Sequence, residues 1–157
     1  MQEAKKITLI SNRAKIVLDI GTILYVLMIG NNAEIHISGD KIYKTRMTLS
    51  ELAEKLGEGF IKVHRGCLVS VMAIHNITDK INLSNGESLD YVVRKKKQIL
   101  TRFHSKQKNM ISGFFEDGIP ATEEEYRKYY SGFENLPISI DMLNFYYETT
   151  TLLRQLP

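Results

Sequence analysis

The segment on which the rest of the chain depends reads Phe60-Ile-Lys-Val-His64-Arg65-Gly66-Cys67-Leu-Val-Ser70-Val-Met-Ala-Ile-His-Asn76. Apolar residues on both sides of Arg65-Gly66 predict two short strands, since strand side chains alternate between faces. The glycine predicts a turn and leaves the neighbouring arginine in solvent. An arginine there can bind phosphate or a guanine edge through paired hydrogen bonds. Taken alone, an ordinary turn with a solvated arginine is the simpler interpretation.

One short helix is predicted just before this segment. Thr48 and Glu51 have the spacing of a capping box. Gly57 suits the end of the helix, because glycine tolerates the conformation that follows a last helical turn. Four residues form an apolar face at helical spacing: Leu49, Leu52, Ala53 and Leu56.

Short strands separated by turn residues predict a mainly β body over residues 1–104. The turns fall at Ser11–Arg13, Gly30–Asn32 and Gly39-Asp40, and Asn85-Gly86 predicts a hairpin turn with positive φ at both residues. The further predicted strands are Ile7–Ile10, Lys15–Asp19, Ile23–Val26, Glu34–Ser38, Lys41–Thr45, Lys80–Leu83 and Ser88–Val93.

Composition and charge narrow the class of protein. Hydrophobic residues make up 43% and charged residues 25%, as in soluble globular proteins. No apolar run approaches ~18 residues, no signal-peptide core follows the start, and the single cysteine fits a reducing compartment, so we expect a cytoplasmic protein.

Charge is unevenly distributed along the chain. Residues 1–110 hold 18 Lys and Arg against 10 Asp and Glu, a net charge of +8. Residues 111–157 hold 3 against 8, a net charge of −5, and the two sum to the +3 of the whole chain. The basic body suggests a nucleic-acid partner.

The central segment with its preceding helix resembles the LytTR DNA-binding domain, a family found mostly in bacterial transcription regulators. The family pattern has a Phe, then His-Arg or His-Asn, Ser, an aromatic, an aliphatic, Val and Asn. Gly66, Cys67 and Ser70 depart from it at the Ser, aromatic and Asn positions, and no acidic residue follows Tyr25. The resemblance covers about residues 5–104 and implies an elongated LytTR-like β-sheet body. The residues that match are Phe60, His64, Arg65, Leu68 and Val69.

The resemblance also implies where DNA is contacted. In this family, loops between strands reach base edges in successive major grooves, and those loops map onto Asn31 and Asn32, onto Arg65 and onto Arg94. Asn can pair with adenine and Arg with guanine, while Lys95, Lys96 and Lys97 are expected to hold phosphates. The simpler interpretations are turn chemistry for the asparagines and a solvated helix start for residues 94–97. Four cations at a helix N-terminus oppose its dipole, however, which suggests an anionic partner.

We therefore expect a sequence-specific regulator of transcription that binds double-stranded DNA at direct repeats. The alternative is a protein-interaction module of the same fold that has lost specific DNA binding. An enzyme is disfavoured: His64 and Cys67 face opposite sides of a continuous strand, no carboxylate lies nearby in sequence to orient them, and no metal-ligand spacing or phosphate-binding glycine loop is present. We expect no cofactor and no metal.

Residues 105–157 predict a helical extension that resembles no family. Ser105–Asn109 is polar and predicts a linker. A capping box at Thr122 predicts a helix to about Ser131 with Gly132 ending it, and a longer helix is expected to reach about Leu156. The longer helix is apolar around much of its circumference, so it should be buried on more than one side. Residues 120–157 could pack on the body, self-associate or bind another protein.

Many members of the LytTR family carry a receiver domain before the DNA-binding domain. Only about six residues precede the first predicted strand of this chain, so we expect its activity to be controlled through residues 111–157, through another protein or through the amount of protein present.

Overall fold

The computed structural model of this chain describes residues 5–112, 123–130 and 140–156. The chain divides into two compact units, Met1–Lys95 and Lys96–Pro157. Unit 1 is mainly β and unit 2 is helical, so the predicted order of a β body and a helical extension is confirmed. A division into functional domains at residues 104 and 105 stays a prediction.

The described part of unit 1 contains ten strands in three antiparallel sheets. A two-stranded sheet pairs the first two strands, a five-stranded sheet has the order β5-β4-β3-β7-β6, and a three-stranded sheet has the order β10-β9-β8. The strands are β1 (Lys6–Ser11), β2 (Ala14–Asp19), β3 (Ile23–Ile29), β4 (Asn32–Ile37), β5 (Lys41–Thr45), β6 (Phe60–His64), β7 (Cys67–Ser70), β8 (Ile74–Ile77), β9 (Ile81–Leu83) and β10 (Ser88–Leu89).

The register of the five-stranded sheet brings two turns to one end. Its middle strand, β3, pairs with β4 from Ile29 opposite Asn32, and with β7 from Leu27 opposite Cys67. Because both pairings are antiparallel, the last residues of β3 lie beside the first residues of β7. The β3–β4 turn and the β6–β7 turn therefore leave the sheet at the same end.

A two-residue turn closes the β1–β2 hairpin. Ser11 pairs with Ala14, and the intervening Asn12 and Arg13 have φ of 52° and 65°. Positive φ at both positions is the pattern of a type I′ turn, which matches the twist of a hairpin. Asparagine adopts this conformation readily, whereas the Cβ of an arginine crowds the backbone there.

The predicted helix between β5 and β6 in the chain is confirmed as α1 (Leu49–Leu56). The Oγ1 atom of Thr48 accepts a hydrogen bond of 3.1 Å from the backbone N–H of Glu51, which satisfies one open donor of the first turn. Gly57 follows with φ of 82° and ends the helix. The buried face comprises Leu49, Leu52 and Leu56.

One hydrophobic core joins the β1–β2 hairpin, the five-stranded sheet and α1. Burial removes apolar surface from water at about 25 cal/mol per Å², so these three elements are held together chiefly by their shared apolar side chains. The buried members of this core are Ile7, Leu9, Leu18, Ile23, Val26, Ala33, Ile35, Leu49, Leu52, Leu56, Phe60 and Leu68.

The β9–β10 turn differs from the prediction. Gly86 has φ of 94°, but Asn85 does not take positive φ. The N–H of Gly86 donates to the carbonyl of Leu83 at 3.0 Å, and the N–H of Leu83 donates to the carbonyl of Glu87 at 2.8 Å. The prediction of positive φ at both residues is wrong, because this loop has three residues and only its last must turn left-handed.

Two segments of the three-stranded sheet also differ from their predictions. The strand expected to reach Val93 ends at Leu89, and Tyr91 beyond it is held by burial and by a 2.5 Å hydrogen bond from its hydroxyl to the carbonyl of Thr78. Ile74–Ile77, which was not among the predicted strands, forms β8. Pairing with β9 overrides the weak strand pattern of these four residues.

Unit 2 contains three described helices: α2 (Lys96–Ser112), α3 (Glu123–Tyr130) and α4 (Ile140–Gln155). The linker predicted at 105–109 is wrong, since α2 passes through it. Gln107 is 4% exposed and Ile111 is fully buried, and they stand four and eight residues after the buried Phe103. This spacing puts all three on one helical face, so tertiary burial keeps a polar segment helical.

The long C-terminal helix packs within its own unit. Helix α4 contacts both α2 and α3. The ring of His104 stacks on that of Tyr146 with centroids 4.4 Å apart, and Phe103 meets Phe145 at 5.2 Å. Two neighbouring helices explain why its apolar residues occupy more than one side. The capping box predicted at Thr122 and the helix end predicted at Gly132 lie outside the described residues.

None of the helices in the described ranges has both the length and the apolar character needed to cross a membrane.

Candidate nucleic-acid interface

The first candidate contact is the tight turn between β3 and β4. Ile29 pairs with Asn32, so the loop consists of Gly30 and Asn31, and Gly30 has φ of 62°. Positive φ at the first loop residue only is the pattern of a type II′ turn, for which glycine is the preferred residue. Asn31 and Asn32 are exposed. The glycine therefore supplies the turn geometry and leaves both amide side chains in solvent at the end of the sheet.

The second candidate contact is the Arg65-Gly66 turn between β6 and β7. The carbonyl of Gly66 accepts a 2.8 Å hydrogen bond from the N–H of Met28 on β3. The N–H of Gly66 donates a 3.1 Å hydrogen bond to Nδ1 of His64. Both backbone polar groups of Gly66 are therefore hydrogen-bonded. Arg65 itself is exposed, so a turn held by two hydrogen bonds presents a guanidinium to solvent next to the β3–β4 turn.

The third candidate contact, Arg94, lies in a 3-10 turn at Val93–Lys95. The N–H of Val92 donates to the carbonyl of Val63 on β6 at 3.4 Å. Arg94 stands two residues after Val92 and Arg65 stands two residues after Val63, so this contact brings the chain carrying Arg94 alongside the strand that leads to Arg65. Arg94 and Lys95 are exposed.

The last two candidate residues, Lys96 and Lys97, begin α2. The first turn of this helix contains no acidic residue. Positive side chains at the positive end of the helix dipole are unfavourable unless something anionic is near. Lys96 is half-buried and Lys97 is exposed.

Neither candidate arginine is engaged in an internal ion pair with the residues that the structure describes. Ion pairs found there include Lys44 with Glu34 at 3.9 Å, Lys80 with Asp90 at 3.6 Å and His36 with Glu34 at 3.3 Å, and none involves Arg65 or Arg94. Arg65 and Arg94 thus keep five N–H donors each for an external acceptor.

A nucleophilic role for Cys67 finds no support in its surroundings. The side chain is completely buried, and burial raises the pKa of its thiol to about 12. The thiol is therefore protonated at neutral pH and is a poor nucleophile. Among the residues that the structure describes, no group of three His, Cys, Asp or Glu could hold a metal ion.

A second basic surface near these turns was missed by sequence reasoning. It is a groove of about 1080 Å³, which we call the basic groove. Its charged lining comes from two stretches far apart in sequence, the hairpin tip and residues 44–55, which span the end of β5 and α1. The overall basic charge of residues 1–110 was the only signal that pointed to it. The residues that line it are Thr8, Leu9, Ile10, Asn12, Arg13, Lys15, Asn32, Lys44, Thr45, Arg46, Met47, Glu51 and Lys55.

Three comparisons with known proteins bear on this arrangement. A family model described as the LytTr DNA-binding domain matches residues 13–104, which is more than half of the chain. The fold is also similar to that of a LytTr DNA-binding domain from Bacillus cereus, described as part of a methyl-accepting/DNA response regulator. The two are 17% identical with a TM-score of 0.55, and the match covers 64% of this chain and 97% of that one. A search of curated proteins found no significant match. On the strength of the family match, the chain belongs to the LytTR DNA-binding domain family.

Proposed function

We propose that this chain is a bacterial, cytoplasmic regulator of transcription that binds double-stranded DNA sequence-specifically. Asn31, Asn32, Arg65 and Arg94 are the base-reading residues of this proposal. Lys95, Lys96 and Lys97 bind phosphates and position the protein without reading sequence. The proposal combines the family membership of the chain with the chemistry of side chains that are free to reach a base edge.

The observation that carries the proposal is the common position of the turns. The β3–β4 turn and the β6–β7 turn leave the five-stranded sheet at one end, and the chain leading to Arg94 runs beside β6. Side chains of both types required for major-groove recognition are therefore grouped: an amide suited to adenine and a guanidinium suited to guanine. A grouping of this kind favours one continuous ligand over scattered surface charges.

We propose, as the resemblance to the LytTR family implies, that the DNA site consists of direct repeats. Each turn covers only a few base pairs, so a long recognition site requires several turns, or several copies of the protein, in successive grooves. We propose one copy per repeat, with repeats whole helical turns apart, about 10–10.5 bp. Bending the duplex so that the turns engage successive grooves costs on the order of 1–6 kcal/mol, which contacts to phosphate would offset.

The decisive experiment is selection of bound duplexes from a random DNA pool by the purified full chain. We expect the enriched sequences to share a short motif that occurs twice in the same orientation. Binding of the enriched duplex should then be titrated from about 50 to 200 mM salt against a shuffled duplex of equal length. Because of the phosphate contacts, the affinities for both duplexes should fall as salt rises. Because of the base contacts, the affinity for the enriched duplex should exceed that for the shuffled duplex at every salt concentration.

The main alternative predicts a different result from the same experiment. A protein-interaction module that has lost DNA binding would enrich no motif and would retain no duplex at low salt. Weak, salt-sensitive retention of every duplex equally would also contradict sequence-specific recognition, because it would reveal phosphate contacts alone.

A further inference from the structure

The basic groove carries far more positive charge than its share of the molecule. Five of its thirteen lining residues are cationic and one, Glu51, is anionic, so 5 − 1 gives +4 against +3 for the entire chain. Lys44 has a partial counterion in Glu34 at 3.9 Å. The other four cations pair with no carboxylate among the residues that the structure describes: Arg13, Lys15, Arg46 and Lys55.

Such a concentration of like charge is unfavourable in the isolated protein. Charges within about 8 Å of one another escape most screening at physiological salt, and a groove of this kind focuses its field on an approaching anion. Binding of a polyanion would relieve the repulsion of four side chains together. This is a reason to look for the ligand of the groove among polyanions.

The hairpin tip supplies an independent observation. Arg13 has φ of 65°, in the left-handed region that glycine adopts easily and that arginine rarely adopts. The two-residue turn would be less strained with Asn-Gly, the usual pair for this geometry. An unfavourable backbone conformation retained at a charged residue on the wall of a groove points to a role for that charge in function.

The groove is continuous with the candidate base-reading end of the sheet. Asn32 lines the groove and also follows the β3–β4 turn directly. Arg46 follows Thr45, which pairs with Ala33 next to Asn32, so it also lies at this end. Whatever duplex Asn31 and Asn32 contact must therefore pass close to the mouth of the groove.

We propose that the basic groove binds the phosphodiester backbone of the duplex that flanks the bases contacted by the β3–β4 turn. This inference rests on the proposed function and adds to it a second line of phosphate contacts, separate from Lys95–Lys97. The cations of the groove hold phosphate oxygens and read no sequence. The groove thus lengthens the footprint of each copy of the protein and raises the salt dependence of its binding.

The first test compares two double variants of the full chain on a random-sequence 30 bp duplex. Lys15→Gln/Lys55→Gln removes charge from the groove. Lys6→Gln/Lys41→Gln removes equal charge at exposed positions on the same hairpin and on β5 that do not line the groove. Each lost phosphate contact lowers the slope of log K against log salt by about 1 and weakens binding roughly fivefold near 150 mM salt. We expect this loss in the groove variant and not in its control.

The second test uses Arg13→Gly, which removes a groove charge and relieves the backbone strain together. Because glycine suits positive φ, this variant should fold at least as well as the parent. We expect weaker binding from a protein that is no less stable, together with loss of hydroxyl-radical protection in the backbone that flanks the selected repeats. A variant that unfolded could not produce this combination.

The outcomes separate this inference from the proposed function. If the parent binds the selected duplex and both groove variants match it in affinity, salt slope and footprint, the groove inference fails and the proposed function stands. If the groove variants weaken binding no more than Lys6→Gln/Lys41→Gln does, the inference fails in the same way. If the parent binds no duplex at low salt, both fail.

Discussion

The hydroxyl of Tyr25 donates a 2.7 Å hydrogen bond to Oε2 of Glu87, 62 residues later in the chain. This bond joins β3, the middle strand of the five-stranded sheet, to the loop between β9 and β10. Burial raises the pKa of the Tyr25 phenol, and the carboxylate of Glu87 raises it further. The phenol therefore keeps its proton, and the link between the two sheets persists at physiological pH.

We expect Tyr25→Phe to lower the free energy of unfolding by about 1–2 kcal/mol, since a hydrogen bond to a charged acceptor is lost while the buried ring remains. Urea denaturation of the full chain measures this change. Tyr43→Phe is the matched control, because Tyr43 is half-buried and its hydroxyl has no hydrogen bond among the described residues. Equal effects of the two variants would mean that the Tyr25–Glu87 bond contributes nothing to stability.

Arg65→Ala and Arg94→Ala should each weaken binding to the selected duplex by about 1–3 kcal/mol and relax the preference at one base position. Lys96→Ala should instead weaken binding to selected and shuffled duplexes alike, because a phosphate contact is indifferent to sequence. Competition binding against single-base variants of the selected site separates the two effects. Parent-like affinity and preference in both arginine variants would show that the base-reading residues lie elsewhere.

His104 should make the packing of unit 2 dependent on pH. Burial lowers the pKa of His104 below its usual 6.5, and the nearby charge of Lys108 lowers it further. The unfolded chain then binds a proton more readily than the folded chain, so stability falls as pH drops below about 6.5 and continues to fall until pH passes the lowered folded pKa.

The measurement is the midpoint of thermal unfolding, followed by helical circular dichroism between pH 7.5 and pH 5. His104→Phe preserves a ring that can stack on Tyr146 but cannot be protonated. Its midpoint should fall less with pH than that of the parent. A parallel decline in both proteins would assign the pH dependence to other groups.

The thiol of Cys67 should react very slowly with thiol reagents in the folded chain. A pKa raised from 9.0 to about 12 removes most of the reactive thiolate, and complete burial blocks access. We expect labelling by an aromatic disulfide reagent at pH 8 to be at least roughly 100-fold slower in buffer than in denaturing urea. Fast labelling under native conditions would mean that the end of the sheet opens readily, and that the hydrogen bonds of Gly66 do not hold the Arg65-Gly66 turn closed.

Features set by near neighbours in the chain could be predicted from residue order. Helix α1 begins after Thr48 and ends at Gly57 as expected, because a side-chain cap and a left-handed stop act over one helical turn. The alternation around Arg65 predicted the β6–β7 turn for the same reason. Short strands between turn residues predicted the mainly β body, and the resemblance to the LytTR family predicted its kind; the family match and the fold confirm both. The assignment of base-reading residues stays a prediction.

Features that depend on distant partners could not be predicted in this way. Ser105–Asn109 is polar enough for a linker, yet burial of Gln107 and Ile111 keeps it helical. The composition of the chain revealed excess positive charge but not its location. Arg13, Arg46 and Lys55 meet in one groove because a shared hydrophobic core brings the hairpin, β5 and α1 together. Caps and turns depend on residues a few positions apart, so the sequence by itself determines them. The position of a charged surface depends on which distant segments pack together, so only the tertiary structure determines it.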